Sequence, residues 1–468
     1  MRTIRLSFVI SLLVVAGRGF DAHGQTETNL HSFTGLPFDG WYPSPLVQGS
    51  DSNFYGTIYG SNIGGTNDYG GVFRISPSGS YTTLYSFAGA PIDGSTPSYG
   101  AGLVQGNNGY LYGTTYGGGA NGYGTVFRIS STGGAYTSLY SFDNSPDGAA
   151  PDAKLVQGSD GNFYGTTFGG GPIHWGTMFR ISPSGNYTNL YSFGVPPSDG
   201  SIPSGLARGS DGNFYGTTAG SSFGGTNYAS TVFRISPSGT LTTLYTFNGA
   251  GQPSGLVLAS DGDFYGTTSQ GGTNNAGSVF RISPGGAYTN LYSFLFSDTF
   301  YPDGLMQGSD GNFYGGTTAG GTYGGGTLYR ISLGGAYTNL YFFGESPNDG
   351  GSPNELVQGD DGNFYGTTQY GGANHYGTAF SFSVPLNPPP YPINQITGAH
   401  VAATNVVFSI PSIAGETYQL QSGTSMNPTN WVNVPGVSIT NSIGALLTLT
   451  NIGGATGPQR FYRFDIIP

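Results

Sequence analysis

Short apolar runs, rich in β-branched and aromatic residues, alternate along most of the chain with turns of glycine, serine, asparagine and aspartate. No segment has the 3.6-residue spacing of an amphipathic helix, and the length of the runs is typical of β-strands. In the stretch 154–193, Asp160-Gly161 indicates a tight hairpin, since glycine accepts the positive φ of such a turn. We predict four antiparallel strands there, A to D, at 154–157, 162–167, 178–182 and 187–193.

The strand B motif Phe-Tyr-Gly-Thr-Thr, or a near variant, occurs seven times at intervals of 49 to 57 residues. A fixed long period is the signature of a repeat architecture, and four strands in about 50 residues fit one propeller blade. The sequence therefore predicts an all-β protein built on a seven-bladed β-propeller. The aromatic pairs of strand B are Phe54-Tyr55, Leu111-Tyr112, Phe163-Tyr164, Phe214-Tyr215, Phe264-Tyr265, Phe313-Tyr314 and Phe364-Tyr365.

In the sequence, the seven copies of strand D are shifted toward the N-terminus relative to the copies of the other strands. Leu30-His31-Ser32-Phe33 precedes the first strand A, whereas the last repeat runs from Phe380 into Val384 without a strand D of its own. We predict that the N-terminal strand completes the seventh blade and closes the ring, which removes exposed sheet edges. An open solenoid is the alternative, but it does not explain why the strand absent from one end is present at the other.

The segments outside the repeats set the domain boundaries. Residues 1–24 combine two early arginines, an apolar run at 6–16 and small residues, as in a secretory signal peptide, and the run is too short to span a bilayer. We predict a propeller at 25–384, a proline-rich linker at 385–393 and a small C-terminal β-sandwich at 394–468. The expected location is secreted, extracellular or in the cell envelope, without a membrane span.

The composition excludes several classes of function. The chain has no cysteine, so disulfides, thiolate metal sites and cysteine nucleophiles are absent. A net charge of −11 repels phosphate backbones, so we expect no nucleic-acid partner. We also expect no cofactor and no metal, and a monomeric protein.

Loop lengths separate the two ends of the blades. The A–B spacing is constant, whereas the B–C and D–A loops vary and are longer, so we place a ligand on the face that carries them. Aromatic rings beside neutral hydrogen-bonding groups suit sugars, and a basic group near the ring axis suits an anion. Several of the tyrosines could instead simply cover glycine-rich loops. The candidate binding residues are Trp41, Tyr116, His174, Trp175, Arg208, Tyr370, His375 and Tyr376.

No nucleophile triad or glutamate pair stands out, and the aspartates of the D–A loops follow an Asp-Gly pattern typical of turns. We therefore expect a non-enzymatic binding or interaction scaffold with an unknown protein or glycan ligand. The competing class is a secreted carbohydrate-binding or carbohydrate-active protein that uses an acid pair on the variable face.

The repeat 155–167, with Gly-Thr-Val-Phe-Arg-Ile-Ser and Leu-Tyr-Ser-Phe segments in neighbouring copies, resembles the GloVer tandem repeat of the choice-of-anchor bacterial proteins. The likeness covers residues 29–384, and the repeats are more distantly similar to kelch repeats. It implies an exported protein with a C-terminal sorting segment, although an apolar, basic anchor is lacking here. The C-terminal module is similar to those of Verrucomicrobia-type proteins in Tyr418-Gln419-Leu420-Gln421, Asn430-Trp431 and 459–463.

Overall fold

A computed structural model describes residues 26–384, apart from 36–38, 61–68, 99, 195–198, 224–225, 249–250, 297–298 and 347, together with strands between residues 398 and 467. The predicted signal peptide and linker lie outside the described residues. Every regular element in the described part is a β-strand. None of the described residues forms a helix that is long and apolar enough to cross a membrane.

Seven antiparallel sheets form the blades of a β-propeller, as the sequence predicts. The first three blades contain β2 (Trp41–Pro43), β3 (Val47–Gln48), β4 (Phe54–Tyr59), β5 (Gly71–Ile75) and β6 (Tyr81–Ser86); β7 (Gly94–Ser95), β8 (Val104–Gln105), β9 (Leu111–Thr115), β10 (Gly117–Gly118), β11 (Thr125–Ile129) and β12 (Thr137–Ser141); and β13 (Val156–Gln157), β14 (Phe163–Thr166), β15 (Thr177–Ile181) and β16 (Tyr187–Ser192).

The other four blades follow the same order. They contain β17 (Pro203–Arg208), β18 (Phe214–Thr218), β19 (Ser221–Phe223), β20 (Thr226–Tyr228), β21 (Thr231–Ile235) and β22 (Leu241–Thr246); β23 (Pro253–Leu258), β24 (Phe264–Thr268), β25 (Ser278–Ile282) and β26 (Tyr288–Ser293); β27 (Thr299–Gln307), β28 (Phe313–Gly320), β29 (Thr327–Ile331) and β30 (Tyr337–Phe342); and β31 (Gly350–Pro353), β32 (Val357–Gln358), β33 (Phe364–Gly371) and β34 (Thr378–Ser383).

One register recurs between strands B and C. In the third blade Tyr164 lies opposite Arg180 and Gly165 lies opposite Phe179. The Phe179 ring crosses strand B at this glycine, where an added Cβ would lie 2.6 Å from the ring. The repeated motif therefore has glycine at this position because a larger residue would collide with the strand C phenylalanine.

Aromatic stacking joins each blade to the next. The strand B tyrosine of one blade faces the strand B phenylalanine of the following blade with ring centroids 3.9 to 4.2 Å apart. Between the first two blades Leu111 takes the place of the phenylalanine and packs in one cluster with Tyr55. The stacked pairs are Tyr112–Phe163, Tyr164–Phe214, Tyr215–Phe264, Tyr265–Phe313, Tyr314–Phe364 and Tyr365–Phe54.

The N-terminal strand β1 (Thr26–Ser32) lies at the outer edge of the seventh sheet, antiparallel to β34, from Thr26 opposite Ser383 to Ser32 opposite Thr378. The next residue, Phe33, is fully buried in a cluster with Phe54 and Phe73 of the first blade. Its backbone N–H donates to the carbonyl of Gly377 at 3.0 Å. β1 thus occupies the position that strand D has in the other sheets.

The C-terminal strands form two three-stranded antiparallel sheets, β35-β36-β39 and β38-β37-β40. Packing of these sheets against each other as a β-sandwich stays a prediction. The strands are β35 (Gly398–Ala402), β36 (Asn405–Pro411), β37 (Thr417–Gly423), β38 (Val432–Thr440), β39 (Leu446–Asn451) and β40 (Phe461–Ile467).

The position of β1 predicts a pH-dependent stability. Burial, followed by the negative charge of Asp349, raises the pKa of Glu27 from 4.5 to about 7. Ionised Glu27 therefore destabilises the fold above pH 7, and this penalty disappears below its unfolded pKa. We expect Glu27→Gln to raise the free energy of unfolding at pH 8 by about 1–2 kcal/mol, after allowance for partial exposure. Thermal unfolding at pH 8 and pH 4 measures this. An equal effect at both pH values would contradict the burial of Glu27 against β34.

Candidate functional site

The strand order separates two faces of the ring. In the fourth blade Pro203, where strand A begins, lies opposite Thr218, where strand B ends, and Arg208 lies opposite Phe214 beside the A–B hairpin. The B–C and D–A loops therefore leave from one end of each blade, and the A–B hairpins from the other. We call the end with the B–C and D–A loops the long-loop face.

On the long-loop face, the residues at the end of strand B surround the opening at the centre of the ring, which we call the channel mouth. On one side of this opening these residues are aromatic. Tyr59, Tyr116 and Phe168 hold this position in the first three blades, whereas Ala219, Ser269, Thr318 and Gln369 hold it in the other four. The centroids of Tyr116 and Phe168 are 6.4 Å apart, and each side chain is 42% exposed. The mouth is aromatic on one side and has small or polar side chains on the other.

Aromatic residues of the neighbouring loops extend this aromatic side. Tyr42 lies 6.3 Å from Tyr59 and 5.5 Å from Tyr370, and Trp41 lies 6.0 Å from Tyr376. Tyr370 is 50% exposed. We call the six residues that follow the aromatic arc, which spans the seventh and the first three blades: Trp41, Tyr42, Tyr59, Tyr116, Phe168 and Tyr370. Three of the predicted site residues, Trp41, Tyr116 and Tyr370, belong to it.

Two other predicted residues have a structural role in their own loops. An added Cβ at Gly194 would lie 2.5 Å from the Trp175 ring, and one at Gly35 would lie 2.6 Å from the Tyr376 ring. These rings therefore cover the glycines that follow strand D, as the alternative interpretation of the sequence expects for such aromatics. Tyr376 still keeps 37% of its surface exposed beside Trp41.

The two histidines occupy equivalent turns of the third and seventh blades. His174 and His375 have φ of 66° and 67°, and their N–H groups donate to the carbonyls of Gly171 and Gly372 at 3.2 and 3.1 Å. Both side chains are exposed. Because they lie in different blades, the structure does not bring them together.

Arg208 lies at the opposite end of the ring from the other predicted residues. It takes the position at which Gln105 and Gln307 of other blades accept a backbone N–H from the preceding hairpin, each at 2.8 Å. The structure therefore separates Arg208 from the aromatic arc.

Repeated aspartates of the D–A loops accept hydrogen bonds within the fold. Asp93 is 2% exposed and accepts a hydrogen bond from Tyr85 at 2.6 Å and another from Tyr136 of the next blade. Asp39 accepts hydrogen bonds from Thr34 and lies 2.8 Å from Nε2 of His31. These two carboxylates hold the turns of their loops.

An open cavity of about 250 Å³ lies between the fifth and sixth blades on the same face. Apolar surface, including Pro253 and Pro302, lines it together with the hydroxyl, amide and carboxyl groups of Gln252, Ser254, Ser269, Tyr301, Asp303 and Thr318. Tyr301 is 37% exposed at its rim. The cavity thus places hydrogen-bonding groups within the part of the mouth that lacks the aromatic arc.

Sequence reasoning missed two carboxylates on strand A. Asp303 stands where most blades have serine, and Glu355 stands where four blades have glycine, Gly102, Gly205, Gly255 and Gly304. Burial raises the pKa of Asp303, and the backbone N–H of Gly304 opposes this. Burial also raises the pKa of Glu355, while the charges of Lys154 and Asp303 act in opposite directions. Departure from the repeat at these strand A positions is the signal that could have found them.

The described residues contain no group of three or more histidine, aspartate or glutamate side chains that could hold a metal ion.

Solved structures with similar folds define the class of protein as a β-propeller. They include virginiamycin B lyase from Staphylococcus aureus with quinupristin, at 15% identity and a TM-score of 0.53, covering 77% of this chain and 99% of that one. A streptogramin B lyase has 15% identity and a TM-score of 0.52, covering 77% and 97%. A fungal alcohol oxidase of the AA5 family in complex with copper has 12% identity and a TM-score of 0.52, covering 93% and 95%. At these identities the likeness shows the fold alone.

The sequence itself gives the family. It matches the Gloeobacter/Verrucomicrobia repeat over residues 19–222 and 252–388, and the chain belongs to this family. No curated protein matches the sequence.

Proposed function

We propose that the protein is an exported, non-enzymatic binding protein that takes a carbohydrate ligand on its long-loop face. The observation that carries this proposal is the aromatic arc, whose partly exposed rings come from four blades and include the neighbouring sets Tyr42, Tyr59 and Tyr370, and Tyr116 and Phe168. Sugar rings present C–H faces to aromatic side chains and hydroxyls to polar ones. The arc supplies the first kind of contact, and the cavity between the fifth and sixth blades, on the same face, offers hydroxyl, amide and carboxyl groups for the second.

The absence of catalysis is part of this proposal. The lyases and the oxidase with similar folds are too distant to transfer an activity, and the repeated aspartates of the D–A loops support turns. Exposed rings with fixed neighbours suit recognition, since little side-chain entropy is lost on binding.

A protein partner on the same face is the second candidate. Ile92, Ile173, Leu295 and Phe296 lie in D–A or B–C loops and are 81%, 41%, 45% and 49% exposed. Such apolar side chains at the rim favour a protein contact over a sugar contact.

The arc generates a binding prediction. Tyr116→Ala and Phe168→Ala remove exposed rings, and we expect each to weaken binding of a soluble polysaccharide by about tenfold, because a stacked ring contributes about 1–2 kcal/mol. A glycan array followed by titration of the strongest binder measures this. Leu333→Ala is the matched control, since Leu333 is 38% exposed in a C–D turn on the other face.

Three outcomes contradict the carbohydrate proposal. The parent protein binds no glycan, the Leu333 variant loses as much affinity as the arc variants, or the protein releases new reducing ends from the polysaccharide it binds. The last outcome also overturns the non-enzymatic part.

Export is proposed on the N-terminal signal pattern and on the resemblance to exported proteins. We expect the secreted protein to begin at Gln25, after cleavage behind Gly24. Mass spectrometry of protein from the culture medium measures this, and retention of the intact N-terminus inside the cell would contradict it.

The two C-terminal sheets are proposed to pack as a β-sandwich that serves in sorting or surface attachment.

We further propose that β1 closes the propeller. His31 stacks on Tyr81 of the first blade at 4.3 Å, as Tyr85 stacks on Tyr136 at 4.0 Å between the first two blades. Phe33 lies 5.5 Å from Phe73, as Phe87 lies 5.3 Å from Phe127. These equivalent contacts support an equivalent role for the N-terminal strand at the last junction.

The matched pair Phe33→Ala and Phe87→Ala tests closure. Because both rings are buried at equivalent blade junctions, we expect each variant to lose about 3–5 kcal/mol of stability. Deletion of residues 25–34 should be more severe and broaden the unfolding transition. Denaturant unfolding measures all three. If Phe33→Ala costs little while Phe87→Ala is severe, the N-terminal strand does not close the ring.

A further inference from the structure

The sixth blade departs from the repeat at three positions that lie side by side. Asp303 on strand A pairs directly with Gly316 on strand B, and the adjacent Gly315 pairs with Tyr329 on strand C. Other blades have threonine in place of Gly316 and phenylalanine in place of Tyr329. The changes remove a side chain at one point and add a hydroxyl and a carboxyl around it.

The Tyr329 hydroxyl has no hydrogen-bond partner among the described residues, although the residue is 0% exposed. An added Cβ at Gly315 would lie 2.6 Å from this oxygen and 2.9 Å from the carbonyl oxygen of Gly304, so the hydroxyl points at strand A. An unpaired buried hydroxyl costs about 1–3 kcal/mol, and phenylalanine at this position would avoid the cost. Packing of the blade therefore does not explain the tyrosine.

A second carboxylate faces this cluster from the seventh blade. Glu355 packs directly over Gly304, where an added Cβ would lie 2.7 Å from the glutamate Cβ. Asp303 and Glu355 are both half-buried, and neither has an ion-pair partner within 4 Å in the described part of the chain. Two ionised carboxylates in such surroundings repel each other, and either a proton on one of them or a nearby positive charge relieves the repulsion.

We propose that Asp303 and Glu355 bind the protonated primary amine of a small ligand whose remaining part occupies the cavity between the fifth and sixth blades. The cavity adjoins Asp303 and offers Gln252, Ser254, Ser269 and Thr318 as hydrogen-bonding partners. The Tyr329 hydroxyl is buried and does not line the cavity, but it interacts electrostatically with Asp303 and so lies near that carboxylate. Amino sugars and basic amino acids both carry such an amine.

Lys154 of the third blade influences the strength of this site, since its charge acts on Glu355. Lys154 and Tyr329 are the other titratable groups that interact electrostatically with Asp303 or Glu355. Tyr329 stays protonated because burial raises its pKa well above the ordinary value. Both carboxyls have raised pKa values and take up protons as the pH falls through them. The affinity for the amine should therefore decrease as the pH is lowered.

Calorimetric titration of the purified protein with glucosamine tests the proposal, with glucose and N-acetylglucosamine as neutral counterparts and lysine as the second source of an amine. We expect glucosamine, lysine or both to bind, the neutral sugars to bind at least about tenfold more weakly, and Asp303→Asn to weaken the amine by about tenfold to a hundredfold. Asp152→Asn is the matched control, because Asp152 has the same strand position in the third blade and accepts a hydrogen bond from Ser98.

Tyr329→Phe provides a readout that does not need the ligand. Removal of an unpaired buried hydroxyl should raise the melting temperature. The proposal is overturned if no amine binds, if the neutral sugars bind equally well, if Asp152→Asn has the effect of Asp303→Asn, or if Tyr329→Phe lowers the melting temperature. None of these outcomes tests the carbohydrate proposal for the aromatic arc, which is tested with different variants and with polysaccharides.

Discussion

Stacking between the strand B tyrosine of one blade and the strand B phenylalanine of the next is the interaction on which the ring depends. Sheets arranged around an axis diverge outwards, and only large side chains fill the space between them. Each stacked pair adds about 0.5–1.5 kcal/mol to the free energy gained from burial of its rings. The pair Tyr365–Phe54 joins the last blade to the first in the same way as the five internal pairs, whereas Leu111 replaces the phenylalanine between the first two blades.

The polar groups of the repeat follow from this packing. A strand B tyrosine that is buried between blades needs a partner for its hydroxyl, and the aspartate of the A–B hairpin accepts it, as Asp160 does from Tyr164 at 2.9 Å. Burial would raise the pKa of Asp160, but hydrogen bonds from Asn162 and Tyr164 outweigh it and lower the pKa. The repeated carboxylates are therefore part of the scaffold, and groups for binding have to be sought where the blades differ.

The sequence predicts the fold well because each strand type can be counted separately. Seven copies of Phe-Tyr-Gly-Thr-Thr give the number of blades, and the displaced strand around Phe33 predicts the position that β1 takes. The candidate site is predicted less completely. Trp175 is a large loop aromatic, but its sequence does not reveal that Gly194 lies beneath it. Arg208 departs from the repeat, yet the direction of strand A places it at the far face.

A ring of similar blades can accommodate local departures because every junction has its own aromatic cluster. The sixth blade keeps its stacked pairs Tyr265–Phe313 and Tyr314–Phe364 on both sides, so the unpaired Tyr329 hydroxyl and the repulsion between Asp303 and Glu355 are confined to its inner edge. The aromatic arc is a second local departure, built from Trp41 and Tyr42 of β2 and from residues at the end of strand B. Packing fixes the outer levels of each blade, whereas the inner edge and the channel mouth are free to differ. At the position where strand B ends, this freedom leaves rings in three blades and small or polar side chains in four.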